Sequence, residues 1–129
     1  MPAYDGFRFT PPAPLALVTC KNPENGAICT DVPMLIDTGA DVSLLPRDAV
    51  ARLGLGTLPD RQYELVGFDG SLSTAAIVHA VVVFCGRKFR GQYLVAEHEY
   101  GILGRNLLNA LAIVLDGPSL TWSEQRQPT

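Results

Sequence analysis

The sequence predicts an all-β domain with little helix, and three observations carry that reading. Glycine and proline together supply 22 of 129 residues, a density that favours frequent turns over long helices. The run Arg61–Val66 alternates in polarity, and Ile77–Phe84 is strongly β-branched, with Val81, Val82 and Val83 read as buried, as strands are. Clusters of turn-forming residues separate the runs, at Lys21–Gly26, Gly67–Gly70, Cys85–Arg87 and Asp116–Pro118.

The elements follow in order. Residues 1–14 carry Pro2, Pro11, Pro12 and Pro14 and read as a proline-rich extended arm or linker with no helix. Leu15–Cys20 is a first strand, Asn25-Gly26 a hairpin turn and Ala27–Val32 the returning strand. Met34-Leu35-Ile36 then delivers a carboxylate, Asp37. Thr38 and Gly39 form a turn, and a second apolar strand, Val42–Leu45, leaves it. Gly39 permits a sharp turn and the close approach of another chain. Pro46–Leu53 is a short helix stopped by Gly54. Arg61–Val66 and Ser71–Ala76 form a hairpin around Gly67-Phe68-Asp69-Gly70. Ile77–Phe84 and Lys88–Ala96 are further strands, and Glu97–Tyr100 is a polar loop. Gly101–Gly104 leads into a helix at about Arg105–Ala110. Leu111–Leu115 and Leu120–Ser123 are the last strands. The chain is therefore read as one domain, residues 15–123, with the arm at 1–14 and a polar tail at 124–129.

Composition excludes several classes. A net charge of −3 and a pI near 5.2 give no general electrostatic footprint for nucleic acid. Cys20, Cys29 and Cys85 lack metal-site spacing. Their odd number points to thiols in a reducing compartment, with a Cys20–Cys29 bridge left open. His79 and His98 have no carboxylate or cysteine at ligand spacing, so no metal and no cofactor is expected. Ser43 is flanked by apolar strand residues and has no local base, which argues against a serine nucleophile. No apolar run reaches membrane-span length and the N-terminus lacks a signal pattern, so a cytoplasmic location is expected.

Two stretches carry a resemblance. Leu35-Ile36-Asp37-Thr38-Gly39-Ala40-Asp41-Val42-Ser43 resembles the active-site loop of single-domain, retropepsin-like aspartic proteases. Gly101-Ile102-Leu103-Gly104-Arg105-Asn106-Leu107-Leu108 matches the family's second signature. The resemblance implies a retropepsin-like acid protease barrel with a flap hairpin, one short C-terminal helix and a smaller helix after the acid loop. It implies Asp37, Thr38 and Gly39 as the catalytic loop, with Thr38 bracing the partner's loop across an obligate homodimer. Gly39, Ala40, Asp41, Val66, Gly67, Phe68, Gly70 and Ile102 would meet an extended peptide. Gly104 and Arg105 would support the loop, Arg105 by a bidentate pair with Asp41. Leu120–Ser123, with Trp122, is the candidate for the dimer sheet. The flap is poorer in glycine than its retroviral counterparts, and Asp69 places a charge at its tip.

The chemistry that the resemblance implies has a physical basis. Hydrolysis of a peptide without a metal or a nucleophilic side chain needs one carboxylate to take a proton from water and one carboxyl to donate. Two such groups a few ångströms apart hold one proton between them, because like charges resist double ionisation. The chain has a single Asp-Thr-Gly, so the second acid comes from a second copy on a two-fold axis. Ala40 offers no hydroxyl to the carboxylates, which favours activity at mildly acidic pH. Two other readings stand beside the endopeptidase: a dimerisation or peptide-binding module with little turnover, and a self-processing domain that cuts a linker such as Pro11-Pro12-Ala13-Pro14.

Overall fold

The structure, a computed structural model, describes residues 1–66 and 69–125, leaving out the side chains at 59–63, 65 and 73. Nine strands and two short helices follow in order: β1 Leu15–Lys21, β2 Ile28–Ile36, β3 Leu44–Pro46, α1 Arg47–Leu53, β4 Thr57–Val66, β5 Leu72–Phe84, β6 Arg87–Ala96, β7 Gly101–Leu103, α2 Arg105–Leu108, β8 Ile113–Asp116 and β9 Thr121–Glu124. The all-β class expected from turn density and strand composition is the class adopted.

The large sheet runs β1-β2-β7-β3-β6-β5-β4, and a further pairing of β1 with β5 closes six of its strands into a barrel. β4 lies outside the closed ring as the second arm of a hairpin with β5. The first hairpin, β1–β2, is fixed by two asparagines. Asn22 accepts the Glu24 amide at 2.9 Å and Asn25 accepts the Ala27 amide at 2.8 Å. Between Val18↔Val32 and Cys20↔Cys29 the ladder gains one residue on β2, and Asp31 absorbs it at φ 56°. Cys85 and Gly86 both take positive φ, the condition for the tight two-residue turn between β5 and β6. α1 ends on Gly54, whose φ of 65° terminates it, and buries Ala49, Val50 and Leu53 against the barrel.

Three local expectations change. β2 is one strand through Ile36, not a return strand followed by a separate apolar run. Pro33 is tolerated because the pairing of β2 with β7 begins only at Met34. β5 is likewise continuous: residues 72–76 pair with β4, and β5 enters the barrel where Ile77 meets Leu94. α2 stops at Leu108, where the Ala110 and Leu111 amides turn to the carbonyls three residues back.

Met34, Leu45, Leu53, Val78, Val82 and Leu103 are fully enclosed at the centre. A second, smaller cluster joins Ala75 and Ile77 of β5 and Leu94 of β6 to Val42, Leu44 and Leu58. It packs the base of the β4–β5 hairpin against the residues that follow Asp41.

The proline-rich arm is docked, not a loose linker. Ala3 bridges to Thr121, Asp5 bridges to Ala13, and the Trp122 amide donates to the Pro2 carbonyl at 3.0 Å. The Pro14 carbonyl accepts the Ile36 amide at 3.0 Å. Further along, Arg8 reaches Asp5 at 2.6 Å and Glu99 at 3.2 Å, and the Phe9 ring meets Tyr100 edge-on at 5.0 Å. Among the described residues no helix is long and apolar enough to cross a membrane.

Candidate active site

β2 and β7 run parallel side by side, with Met34 opposite Gly101, Leu35 opposite Ile102 and Ile36 opposite Leu103. This pairing brings the two sequence signatures together. It ends where the Asp37 amide donates to the Leu103 carbonyl at 3.1 Å, so the acid leaves the sheet at the end of a buried strand. β3 then packs on the other side of β7 through Leu44↔Ile102.

The loop after Asp37 is closed by its own backbone. The Ala40 amide donates to the Asp37 carbonyl at 3.2 Å, and the Gly39 amide donates to the Asp37 carboxylate at 2.9 Å. A Cβ on Gly39 would stand 3.1 Å from that carboxylate oxygen, so glycine keeps the acid and its donor in contact. Asp37 and Ala40 are half-buried, whereas Thr38, Gly39 and Asp41 are exposed. The carboxylate thus has one fixed backbone donor and an open side.

Support comes from the start of α2. The Arg105 amide donates to the Ala40 carbonyl at 2.8 Å, and its guanidinium donates to the Thr38 carbonyl at 2.7 Å. The expected Arg105–Asp41 ion pair is not formed, and none of the ion pairs among the described residues includes Asp41. The physical reason is orientation. α2 meets the carbonyl side of the loop, so the cation finds main-chain oxygens, while Asp41 remains exposed. Gly104 is buried and admits no side chain, since a Cβ there would lie 2.2 Å from the Val42 carbonyl oxygen.

Two residues not assigned to the site from the sequence complete this support. Ser43, buried to 1% exposure, accepts the Gly104 amide at 2.9 Å and donates to the Asn106 side-chain oxygen at 2.7 Å. Its signal in the sequence was a small polar residue set in an apolar strand, a pattern read only against nucleophilic catalysis.

Other candidates fall elsewhere. Ile102 lies in β7 between β2 and β3, half-buried beside the acid loop. Val66 and Gly70 belong to the β4–β5 hairpin, outside the hydrogen-bond network of the acid loop. Val66 is 72% exposed, opposite Leu72 at 68%. Gly67 and Phe68 lie outside the described residues. Asp69 accepts the Ser71 amide at 2.9 Å, and this bonding to Ser71 holds its carboxyl below the usual range. Among the described residues no group of three or more His, Cys, Asp or Glu could hold a metal ion.

Comparisons with known proteins agree with this geometry. A family model described as aspartyl protease matches residues 23–107, which contain both the acid loop and the start of α2. Among solved structures, EIAV protease complexed with an inhibitor is similar at 27% sequence identity and a TM-score of 0.57. The similarity covers 76% of this chain and 86% of that one. No curated protein matches the sequence. With the match spanning most of its length and both signatures meeting at Asp37, the chain belongs to the aspartyl protease family and has a retropepsin-like fold.

Proposed function

We propose that the chain is an aspartic endopeptidase whose centre is completed by a second copy. One observation carries this reading: the single Asp-Thr-Gly loop is braced from beneath by Arg105 and Gly104, while its carboxylate keeps an open side. A homodimer sets Asp37 of each subunit against the other across a dyad. The pair shares one proton. The ionised member takes a proton from water, the protonated member donates to the scissile carbonyl, and water attacks the carbonyl carbon. No covalent intermediate is needed.

The substrate is an extended peptide. It lies between the backbone at Gly39, Ala40 and Asp41, with Ile102 beside it, and the β4–β5 hairpin as a flap. The apolar cluster joining Ala75 to Val42 and Leu44 supports that placement of the hairpin base. The exposed Val66 and Leu72 supply apolar surface for closure. Residues 11–14 are bound into the fold through Ala13 and Pro14, which favours substrates other than the chain's own arm.

The test is a peptide-library digest with wild type and Asp37→Asn in parallel, with mass in solution measured for both. Cleavage by the wild-type dimer alone is expected. Binding by both without cleavage would leave a peptide-binding module instead.

A further inference from the structure

Two buried thiols face each other across the first hairpin. Cys20 of β1 and Cys29 of β2 are direct partners in the antiparallel ladder, so their side chains share one face of it. That face is the core: Cys20 is 0% exposed and Cys29 4%. The two are near enough for Cys29 to add to the upward shift of the Cys20 thiol. Both are thiols in this structure, and the proposed peptidase chemistry uses neither.

An irregularity in the ladder is what opposes them. Counted on from Val18↔Val32, an unbroken ladder sets Thr19 opposite Asp31 and Cys20 opposite Thr30. Alternation would then turn Cys29 outward. The extra residue on β2 shifts the count by one and returns Cys29 to the core face. Asp31 takes up that extra residue at φ 56°, a conformation that side chains other than glycine rarely adopt. Between the pair and the turn stand only the rung Lys21↔Ile28 and the bond from the Asn22 amide to the Ala27 carbonyl.

A bridge fits this site. Opposed residues of an antiparallel ladder hold their Cα atoms about 4.5–5.5 Å apart, and a disulfide spans about 4.4–6.8 Å between Cα atoms. Cys85 stands at the β5–β6 turn, outside this ladder.

We infer that Cys20 and Cys29 form a dithiol–disulfide couple, a redox staple in the strand that closes the barrel, with small organic disulfides as its exchange partners. Cys20 pairs with Cys29 on one side and with Val82 of β5 on the other, so a bridge there fixes the point of closure. One cysteine thiolate attacks a sulfur of the small disulfide, forms a mixed disulfide and expels one thiolate. The second cysteine thiolate attacks the protein sulfur of that bond and expels the other. Two protein thiols are oxidised to one S–S bond, the small disulfide is reduced to two thiols, and the two cysteine protons end on them. Burial makes the exchange wait until the ladder opens from its hairpin end. The closed bridge forbids that opening and restricts the unfolded chain. Excess small thiol reverses the step.

The experiment uses the full chain with all three cysteines and reads no peptidase activity, so its outcome is independent of the proposed function. The chain is incubated in its native state, and separately refolded from urea, with oxidised glutathione in large excess over reduced glutathione. The expected product is a monomer in which trypsin, cutting after Lys21, leaves the Cys20 and Cys29 peptides joined. The native sample is expected to reach it more slowly than the refolded one. The thermal midpoint is expected to rise by about 5–10 °C on bridging, to return on reduction, and to show no redox shift in Cys29→Ala. Persistence of both thiols in either sample, or their capture only as separate glutathione adducts, overturns the couple. A bridge from either residue to Cys85 overturns the pairing. A Cys20–Cys29 bridge that leaves the midpoint unchanged or lowers it overturns the staple.

Discussion

The hydroxyl of Ser43 stands 2.9 Å from the amide of Gly104 and accepts its hydrogen bond. This joins the strand leaving the acid loop to the glycine that begins the supporting helix. The same hydroxyl donates to Asn106 at 2.7 Å, so both of its functions are used in a buried setting. Ser43→Ala removes the acceptor and leaves a buried amide unpaired, which costs about 1–3 kcal/mol. Thermal unfolding of the variant is expected to occur well below that of wild type. An unchanged midpoint would mean that the Gly104 amide finds another partner.

Close approach makes Gly101 and Gly104 irreplaceable. A Cβ at Gly101 would sit 2.3 Å from the Leu44 carbonyl oxygen, and one at Gly104 would sit 2.2 Å from that of Val42. The nearest obstacle is backbone in each case, so relief requires moving residues 42–46 away from residues 101–104. Gly101→Ala and Gly104→Ala are expected to destabilise by about 3 kcal/mol or more, at the severe end for single substitutions. Gly91→Ala meets nothing within 4 Å and serves as the control. Urea midpoints compare the three, and equal midpoints would refute the steric account.

What the sequence made legible and what it hid divide along a physical line. Local patterns were readable: Pro46 and Gly54 bracket α1, Cys85-Gly86 is a tight turn, and the apolar run before Asp37 is the end of a strand. The two signatures were also readable as partners, because their residue types recur together. Contacts that depend on which face of α2 meets the loop were not. The second signature places Arg105 to meet Asp41, but its helix start presents it to the Thr38 carbonyl. Ser43 was hidden for a related reason, since its partners Gly104 and Asn106 lie about sixty residues away and no local pattern announces them. The docked arm was invisible because proline content predicts extension, not the surface that an extended segment finds.

The position of Arg105 makes a discriminating prediction. Arg105→Ala removes a charged donor from the Thr38 carbonyl at an exposed site, with a stability loss of about 1 kcal/mol. Its larger effect is on the loop, so peptidase activity is expected to fall more than stability does. Asp41→Asn breaks no ion pair to Arg105 and is expected to leave the unfolding midpoint nearly unchanged. Equal losses from the two variants, with no further loss in the double variant, would restore the Arg105–Asp41 pair.

Acid should loosen the arm before the barrel. The Arg8 amide, its guanidinium and the Phe7 amide all bond to Asp5 and hold its carboxyl below the usual carboxylate range. A carboxylate whose folded pKa is depressed stabilises the structure above its unfolded pKa, and that contribution is lost as pH falls through the lower folded value. The Phe7 and Arg8 amide resonances are therefore expected to hold from neutral pH down to about pH 4 and to shift only below it. Asp5→Asn retains an acceptor for the amides but has no acid transition. A transition that persists in that variant would assign it to another group, such as Glu99.

Alkali acts on the core instead. Burial pushes the Cys20 thiol from 9.0 up to about 12, and Cys29, directly across the β1–β2 ladder, adds to the effect. Burial also raises Tyr93, with Cys20 contributing. Raised acids keep their protons in the folded state after the unfolded chain has released them. Stability is therefore intact below about pH 9 and declines as pH climbs toward the folded value, by at most about 1.4 kcal/mol per pH unit for each group. Cys20→Ala is expected to be less stable at pH 7 because it opens a cavity, yet to lose stability less steeply between pH 9 and 11. Maleimide labelling provides a second reading, since the Cys20 thiolate is scarce and enclosed, and Cys20 should react only on unfolding. Rapid native-state labelling of Cys20 would show that the β1–β2 ladder opens far more readily than its burial allows, and an alkaline slope identical in the variant would assign the loss to another group such as Tyr93.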